Sequence, residues 1–218
     1  MGEIIDGNAV AAALKVETRA EVAALVARGV RPAIATVLVG DDHGARMYRR
    51  QIERIAGEIG VEHRAVTLPE TASSADVTAC VRALAADPTV HGILPLRPLP
   101  EGTSEDQALE ALDTAKDIDG LHPVNAGRLA LGRPTLYPAT PWACFELIER
   151  HFARQGIDPK RGFEGKNLVI VGRSNIVGKP AYFMALQRNA TPTTVHSFTS
   201  RAGMLTDHTR RAEILIVA

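Results

Sequence analysis

The sequence is poor in cysteine, in aromatic residues and in net charge. Cys80 and Cys144 are the only 2 cysteines among 218 residues, and they lie far apart in the sequence. This indicates a reducing compartment and argues against a disulfide framework and against any metal site. The 25 basic and 25 acidic residues cancel without blocks of like charge, which argues against a nucleic-acid or membrane partner.

Long hydrophobic runs are also missing. No apolar run approaches the roughly 20 residues that a membrane-spanning helix needs. The first residues contain no basic region followed by an apolar stretch, which is the pattern of a secretory signal. We therefore predict a cytoplasmic protein.

The remaining composition, 45% hydrophobic and 23% charged, is that of a globular protein. A chain of this length buries roughly 70% of its unfolded surface, enough for one large domain or two small ones. Short β-branched runs predict buried strands at 33–39, 62–67, 90–94, 167–171, 193–196 and 214–217. Helical spacing between them predicts helices at 8–28, 45–59, 104–112, 140–154 and 177–187 and one more from 74, with Asn8, Ser74 and Thr140 as N-caps.

This alternation predicts an α/β fold with parallel sheets and right-handed crossovers. A loop-rich stretch at 113–141 separates two α/β units. We predict the domain boundary near Ala139, which gives an N-terminal domain at 1–139 and a C-terminal domain at 140–218.

The sharpest local pattern follows the strand at 167–171, where Gly172 leads into a polar turn and a helix start at residues 178–180. Such a turn directs backbone N–H groups at an anion, and the helix dipole favours the same charge. Gly172 permits the tight turn, and Gly178 permits close packing of helix on sheet. Because the spacing is not G-x-G-x-x-G, an ordinary strand–helix turn remains the alternative.

The next strand indicates which dinucleotide such a turn accepts. An NAD site usually has an acidic residue at the end of that strand, where it holds the ribose hydroxyls. Here the strand ends at His196-Ser197-Phe198 without an acid. Arg173 and Ser197 are instead suited to a 2′-phosphate. A solvated arginine and a turn-forming serine are the alternatives, and His196 alone is more often structural than catalytic.

Four segments together carry a family resemblance. They are Gly40-Asp41-Asp42 with Tyr48, residues 92–100 (GILPLRPLP), residues 116–127 (KDIDGLHPVNAG) and residues 172–180 (GRSNIVGKP). In this order they resemble the methylenetetrahydrofolate dehydrogenase/methenyltetrahydrofolate cyclohydrolase family. The resemblance implies a folate-pocket domain, a Rossmann-like NADP domain, a catalytic cleft between them and a homodimer. It implies oxidation of methylenetetrahydrofolate with NADP and then hydration of the methenyl product.

The resemblance also implies roles for individual residues. Tyr48 and Asp119 match the family's catalytic and substrate-binding positions: Tyr48 packs against the folate ring system, and Asp119 hydrogen-bonds the pterin. Leu96 and Pro98 fall at further substrate-binding positions. A turn cap is the alternative for Asp119, and Lys116 and Asp117 match motif positions without a distinct role. The cofactor-binding positions are Gly172, Arg173, Ser174, Ile176 and Ser197.

Two positions depart from the family pattern. The family has a catalytic lysine where this chain has Ile52, and a glutamine where it has Leu96, preceded by Pro95. Neither side chain titrates or forms hydrogen bonds, so we predict that cyclohydrolase activity is weak or lost. A paralogue with a shifted substrate, or a non-catalytic protein that binds NADP or folate, are the alternatives. A further alternative is that a polar neighbour (Arg49, Arg50, Gln51 or Arg97) substitutes.

The last residues form an apolar run that ends at Ala218. The family continues with further strands, a glycine-rich segment near the nicotinamide and a final helix. A parallel sheet that ended here would expose a hydrophobic edge. We therefore expect these residues to be a portion of a longer polypeptide with an incomplete C-terminal domain.

Overall fold

The structure is a computed structural model that describes residues 3–133 and 135–218. Helices and strands alternate along most of the chain, as the sequence predicts. In chain order they are α1 (Gly7–Ala27), β1 (Ala33–Val39), α2 (His43–Ile59), β2 (Glu62–Leu68), α3 (Ser74–Ala86), β3 (Gly92–Pro95), α4 (Glu105–Glu110), α5 (Pro123–Ala130), α6 (Ala139–Arg154), β4 (Asn167–Val171), α7 (Gly178–Leu186), β5 (Thr191–Val195), α8 (Ser197–Arg201), α9 (Leu205–Arg210) and β6 (Ile214–Val217).

The chain divides into two compact units. The N-terminal unit comprises Asn8–Ile118, and the C-terminal unit comprises Asp119–Ala218 with residues 3–7. This division lies ahead of Ala139, where the sequence places the domain boundary. The boundary at 139–140 stays a prediction about the folate and dinucleotide domains.

The N-terminal unit contains a parallel sheet with the strand order β2-β1-β3. The central strand β1 has apolar residues on both faces because a helical layer covers each of them. Ala35, Val37 and Val39 face a core that also includes Val77 and Val81 of α3. Leu38 points to the opposite face, where it packs against Ala45 at the start of α2.

The C-terminal unit contains a second parallel sheet with the order β5-β4-β6. Its core joins Leu168 and Ile170 of β4 to Met184 of α7, all of them fully buried. Phe145 of α6 and Phe163 add two rings with centroids 5.5 Å apart. Both units therefore confirm the predicted α/β class with parallel sheets.

Three predicted helix caps are wrong. Asn8 lies inside α1, which begins at Gly7. Ser73, not Ser74, caps α3, because Asp76 stands three residues after it and completes a capping box through reciprocal hydrogen bonds. Helix α6 begins at Ala139, with Pro138 rather than Thr140 at the cap position.

Three short helices fall where the sequence analysis predicts none. Helix α5 lies within the stretch that was predicted to be loop-rich, and α8 and α9 follow β5. Segments of five to eight residues contain too few turns for an apolar periodicity to be recognised. Within residues 3–133 and 135–218, no helix is both long and apolar enough to cross a membrane.

Candidate functional site

Residues 40–42 are the first of the four segments that carry the family resemblance, and they fix the start of helix α2. Asp42 Oδ1 accepts a hydrogen bond of 2.8 Å from the N–H of Ala45 and so caps the helix. Asp41 forms an ion pair of 3.0 Å with Arg46 on the first turns. Gly40 adopts a left-handed φ of 75°, which lets the chain turn from β1 into the helix. The motif therefore positions the helix that carries Tyr48 and Ile52.

Helix α2 presents these two side chains differently. The side chain of Tyr48 is 53% exposed, so its ring offers a surface for contact with a ligand. Ile52 is half-buried and packs into an apolar cluster formed by Leu38, Ala45, Leu94 and Leu96. Leu96 is only 1% exposed. The structure thus brings together the two positions at which the chain departs from the family pattern.

Two of the polar neighbours of these positions, Arg49 and Arg97, have partners elsewhere. Arg49 Nη1 donates a hydrogen bond of 2.7 Å to Thr67 Oγ1, and Arg97 forms an ion pair of 2.5 Å with Glu105. A guanidinium has only donor N–H groups and no acceptor atom, so neither arginine serves as a general base. Pro98, next to Arg97, is exposed.

Lys116, which the sequence left without a role, fastens helix α3. Its Nζ donates hydrogen bonds of 2.7 Å to the carbonyl oxygens of Ala85 and Asp87 at the end of that helix. A cation there satisfies carbonyls that have no partner within the helix. The Lys116 carbonyl accepts a 2.7 Å bond from the N–H of Ile93, which fastens this segment to β3. The lysine is therefore structural.

Two glycines permit close approach of the segment that leads to Asp119. A Cβ on Gly92 would lie 2.4 Å from the side chain of Ile118 in the N-terminal unit. In the C-terminal unit, Gly120 has a φ of +62°, and a Cβ there would lie 2.8 Å from the Leu136 carbonyl oxygen. Asp119 is half-buried immediately before this turn. Gly120 thus fixes the direction in which the chain leaves Asp119.

The glycine turn after β4 has the tight geometry that the sequence predicts. Gly172 has a φ of +131°, and a Cβ there would lie 2.7 Å from the Ala218 carbonyl oxygen. A Cβ on Gly178 would lie 2.3 Å from the carbonyl oxygen of Gly172. Any side chain at either position would therefore displace the backbone.

The side-chain hydroxyl of Ser174 caps this turn by accepting backbone hydrogen bonds. Its Oγ accepts hydrogen bonds from the N–H groups of Val177 at 3.1 Å and Gly178 at 3.3 Å. These two N–H groups are therefore satisfied by the protein itself. The N–H groups of residues 173–176 have no hydrogen-bond acceptor within the described part of the chain. They are the donors that remain for an anion.

A cleft of about 400 Å³ lies beside this turn. Its lining combines residues at the ends of β4 and β5 with residues of the two short helices: Val171, Gly172, Arg173, His196, Ser197, Ser200, Leu205 and Ala218. The structure brings Gly172, Arg173 and Ser197 together here, whereas Ile176 is 38% exposed and is absent from this lining. No acidic side chain occurs among these lining residues.

Ser200 and Leu205 also line the cleft, although no sequence pattern predicts them there. Both belong to the unpredicted helices α8 and α9, so no local pattern placed them near the glycine turn. His196 has a structural contact, because its Nδ1 accepts a 3.3 Å hydrogen bond from the N–H of Phe198. The described residues contain no group of three or more potential metal ligands.

These residues fit a dinucleotide phosphate. Gly172 leaves open the space that a Cβ would fill, and the neighbouring N–H groups await acceptors. Arg173 and Ser197 supply a cation and a hydroxyl at the mouth of the same cleft. Fold and site together define a two-unit α/β protein with a cleft in its C-terminal unit that suits a dinucleotide phosphate.

Comparison with known proteins identifies the family. Residues 5–119 match the catalytic domain of tetrahydrofolate dehydrogenase/cyclohydrolase, and residues 138–218 match its NAD(P)-binding domain. The chain therefore belongs to the tetrahydrofolate dehydrogenase/cyclohydrolase family, as the sequence motifs predict. It is an enzyme of folate one-carbon chemistry with a nicotinamide dinucleotide cofactor.

Curated relatives and solved structures support this assignment. The chain is 49% identical to bifunctional protein FolD 3 of Rubrobacter xylanophilus, over 99% of this chain and 68% of that protein. It is 44% identical to bifunctional protein FolD of Heliobacterium modesticaldum, over 99% of this chain and 71% of the relative.

The crystal structure of FolD from Campylobacter jejuni superposes with a TM-score of 0.91 at 34% identity, over 99% of this chain and 73% of that one. The Trypanosoma brucei enzyme, complexed with NADP and an inhibitor, gives a TM-score of 0.87 at 30% identity, over 100% of this chain and 71% of its own.

Proposed function

We propose that the protein oxidises 5,10-methylenetetrahydrofolate to 5,10-methenyltetrahydrofolate with NADP, and that its cyclohydrolase activity is weak or lost. The observation that carries the proposal is the contact cluster that joins Ile52 to Leu96. Two positions where the family resemblance implies a lysine and a glutamine are both apolar here, and they pack into the same cluster. The chain therefore lacks both members of the family's lysine–glutamine pair.

The two reactions make different demands on this pair. Hydration of the methenyl ring requires a group that takes a proton from water, and neither isoleucine nor leucine has a titratable atom. Oxidation requires chiefly that the one-carbon group be held against the cofactor. NADP, when bound, supplies the chemistry by accepting a hydride. Loss of the pair therefore removes hydration and spares oxidation.

The remaining residues of the chain bind and orient in this proposal. The exposed ring of Tyr48 packs against the folate ring system. The carboxylate of Asp119 accepts hydrogen bonds from the amino-pyrimidine edge, which presents adjacent N–H donors. Pro98 contributes exposed apolar surface to the folate pocket, and Leu96 contributes through the buried cluster that it shares with Ile52.

The C-terminal unit orients the cofactor in the same proposal. Residues Gly172, Ser174 and Ile176 form the phosphate turn, while Arg173 and Ser197 bind the 2′-phosphate. The NADP complex of the T. brucei enzyme supports this choice of cofactor. The cleft lining also lacks the acidic side chain that would bind an NAD ribose.

Two assays on one preparation test the function. Steady-state reduction of NADP and NAD with methylenetetrahydrofolate measures the dehydrogenase, and we expect a higher kcat/KM with NADP. Absorbance decay of added methenyltetrahydrofolate measures the cyclohydrolase, and we expect the rate in buffer alone. Clear acceleration of that decay by the protein contradicts the proposed loss.

The two alternatives give different results in the same experiments. A non-catalytic binding protein would bind NADP and folate in calorimetry without turnover. A paralogue with a shifted substrate would bind NADP tightly but turn over methylenetetrahydrofolate poorly. The apolar Ile52–Leu96 wall favours both alternatives, so binding and turnover are measured together.

We further propose that the protein is a cytoplasmic homodimer. The homodimer follows from the family resemblance, and light scattering coupled to size exclusion measures it directly. A cytoplasmic location is supported by the two free thiols, Cys80 and Cys144, because cysteines persist as thiols in a reducing compartment. Cell fractionation tests it.

A further inference from the structure

Phe198 directly follows the cleft residue Ser197, and two arginine side chains lie over its ring. The guanidinium carbon of Arg201 is 5.0 Å from the centre of its ring, and that of Arg173 is 5.6 Å from it. The ring itself is 57% exposed. Cations at this distance are attracted by the ring's π-face, so one phenyl ring holds both guanidinium groups in place.

Among the described residues, neither arginine has an anionic partner. Within residues 3–133 and 135–218, neither guanidinium forms an ion pair or a hydrogen bond. Two like charges that share one ring repel each other, and a bound anion relieves that repulsion. Ser197 and Ser200 present hydroxyls to the same cleft, and its lining includes no acidic side chain. The two guanidinium groups and the two serine hydroxyls therefore suit a dianion that also accepts hydrogen bonds.

The backbone around Phe198 is well supported. His196 holds it from the N-terminal side through the hydrogen bond from the Phe198 N–H and through an edge-on ring contact with centroids 5.9 Å apart. The Phe198 carbonyl accepts a 3.0 Å bond from the N–H of Ala202. Phe198 is thus positioned before any ligand arrives, and its ring offers Arg201 a fixed contact surface.

We propose that Arg201, held beside Arg173 by the ring of Phe198, is a second cation for the adenosine 2′-phosphate and strengthens the preference for NADP over NAD. This inference rests on the proposed NADP-dependent function and adds to it a specificity-determining arginine and a positioning ring. A planar guanidinium binds phosphate oxygens through two parallel N–H bonds, and two such groups match a doubly charged phosphate.

The test measures nucleotide binding without folate. Calorimetric titration with 2′,5′-ADP and with 5′-AMP compares a ligand that has the 2′-phosphate with one that lacks it. We expect Arg201→Gln to weaken 2′,5′-ADP binding about tenfold and to leave 5′-AMP binding within about twofold. Arg201→Lys retains the charge but loses the planar fork, so we expect an intermediate loss.

Two further variants separate the contact from general charge effects. Arg154→Gln removes an exposed positive charge at the end of α6, outside the cleft lining, and we expect both affinities to be unchanged. Phe198→Leu removes the ring that positions both arginines, and we expect a selective loss for 2′,5′-ADP. Circular dichroism of each variant verifies that it folds.

The inference is overturned if Arg201→Gln weakens both nucleotides equally, if it weakens neither, or if the unchanged chain does not bind 2′,5′-ADP. Failure of the proposed function looks different. A chain that binds 2′,5′-ADP through Arg201 but does not turn over methylenetetrahydrofolate refutes the folate activity and leaves the phosphate contact intact.

Discussion

Restoring the polar pair at positions 52 and 96 tests whether the two side chains act as one unit. Leu96→Gln replaces a side chain that is 1% exposed with an amide. The loss of apolar burial and the unpaired amide together cost about 3 kcal/mol of unfolding free energy. Ile52→Lys acts at a half-buried position, where the lysine stem covers the same surface while its ammonium reaches water. We expect that change to cost about 1 kcal/mol.

The double variant is expected to be more stable than the sum of the two single changes predicts. We expect a lysine at 52 to reach a glutamine at 96, because the present side chains belong to one apolar cluster. A hydrogen bond between them returns about 1 kcal/mol, so the double variant loses about 3 kcal/mol rather than 4. Urea unfolding followed by circular dichroism measures this coupling.

The matched control is Leu112→Gln, which places the same amide in the other cluster of the N-terminal unit. Combined with Ile52→Lys, it should show no coupling, because the two residues belong to different clusters. Costs of Ile52→Lys and Leu96→Gln that add within about 0.5 kcal/mol refute the shared contact. We also expect only the double variant to accelerate methenyltetrahydrofolate hydrolysis above the rate in buffer.

Three further predictions concern the supports of the site. Lys116→Met removes two charged hydrogen bonds at the end of α3 and should cost about 2 kcal/mol in urea unfolding, whereas exposed Lys160→Met should cost nothing measurable. Gly120→Ala combines a left-handed φ with a 2.8 Å backbone clash and should cost more than about 2 kcal/mol. Gly132→Ala, with a φ of +65° and open space, should cost only about 1 kcal/mol in the same assay, and equal costs would show that the clash is absent. Burial lowers the pKa of His63, so the unfolded chain binds this proton at a higher pH than the folded chain, and stability falls as the pH drops below about 6.5. Denaturation of His63→Gln between pH 5 and about 8 should show a flatter dependence; an unchanged slope contradicts the assignment.

The strands of both units were predictable because their signals are local. A run such as 33–39 is apolar on both faces, and only a strand covered on both sides accommodates it. Gly172 was recognisable for a similar reason, since a glycine directly after a strand and before a helix marks a turn that other residues cannot adopt. Short helices and cap positions were missed because a few residues carry too little periodicity.

The sequence by itself determined the class of fold, the glycine turn, the family motifs and the identity of the residues at positions 52 and 96. Only the tertiary structure decided which of these residues belong to one cluster. Ile52 lies on α2 and Leu96 follows β3, and the parallel sheet brings them into one cluster. The sharing of Phe198 by Arg173 and Arg201 likewise depends on parallel strands β4 and β5, which end at the same edge of their sheet. Periodicity fixes which face of an element is buried, whereas the identity of the partner depends on which elements the crossovers place side by side.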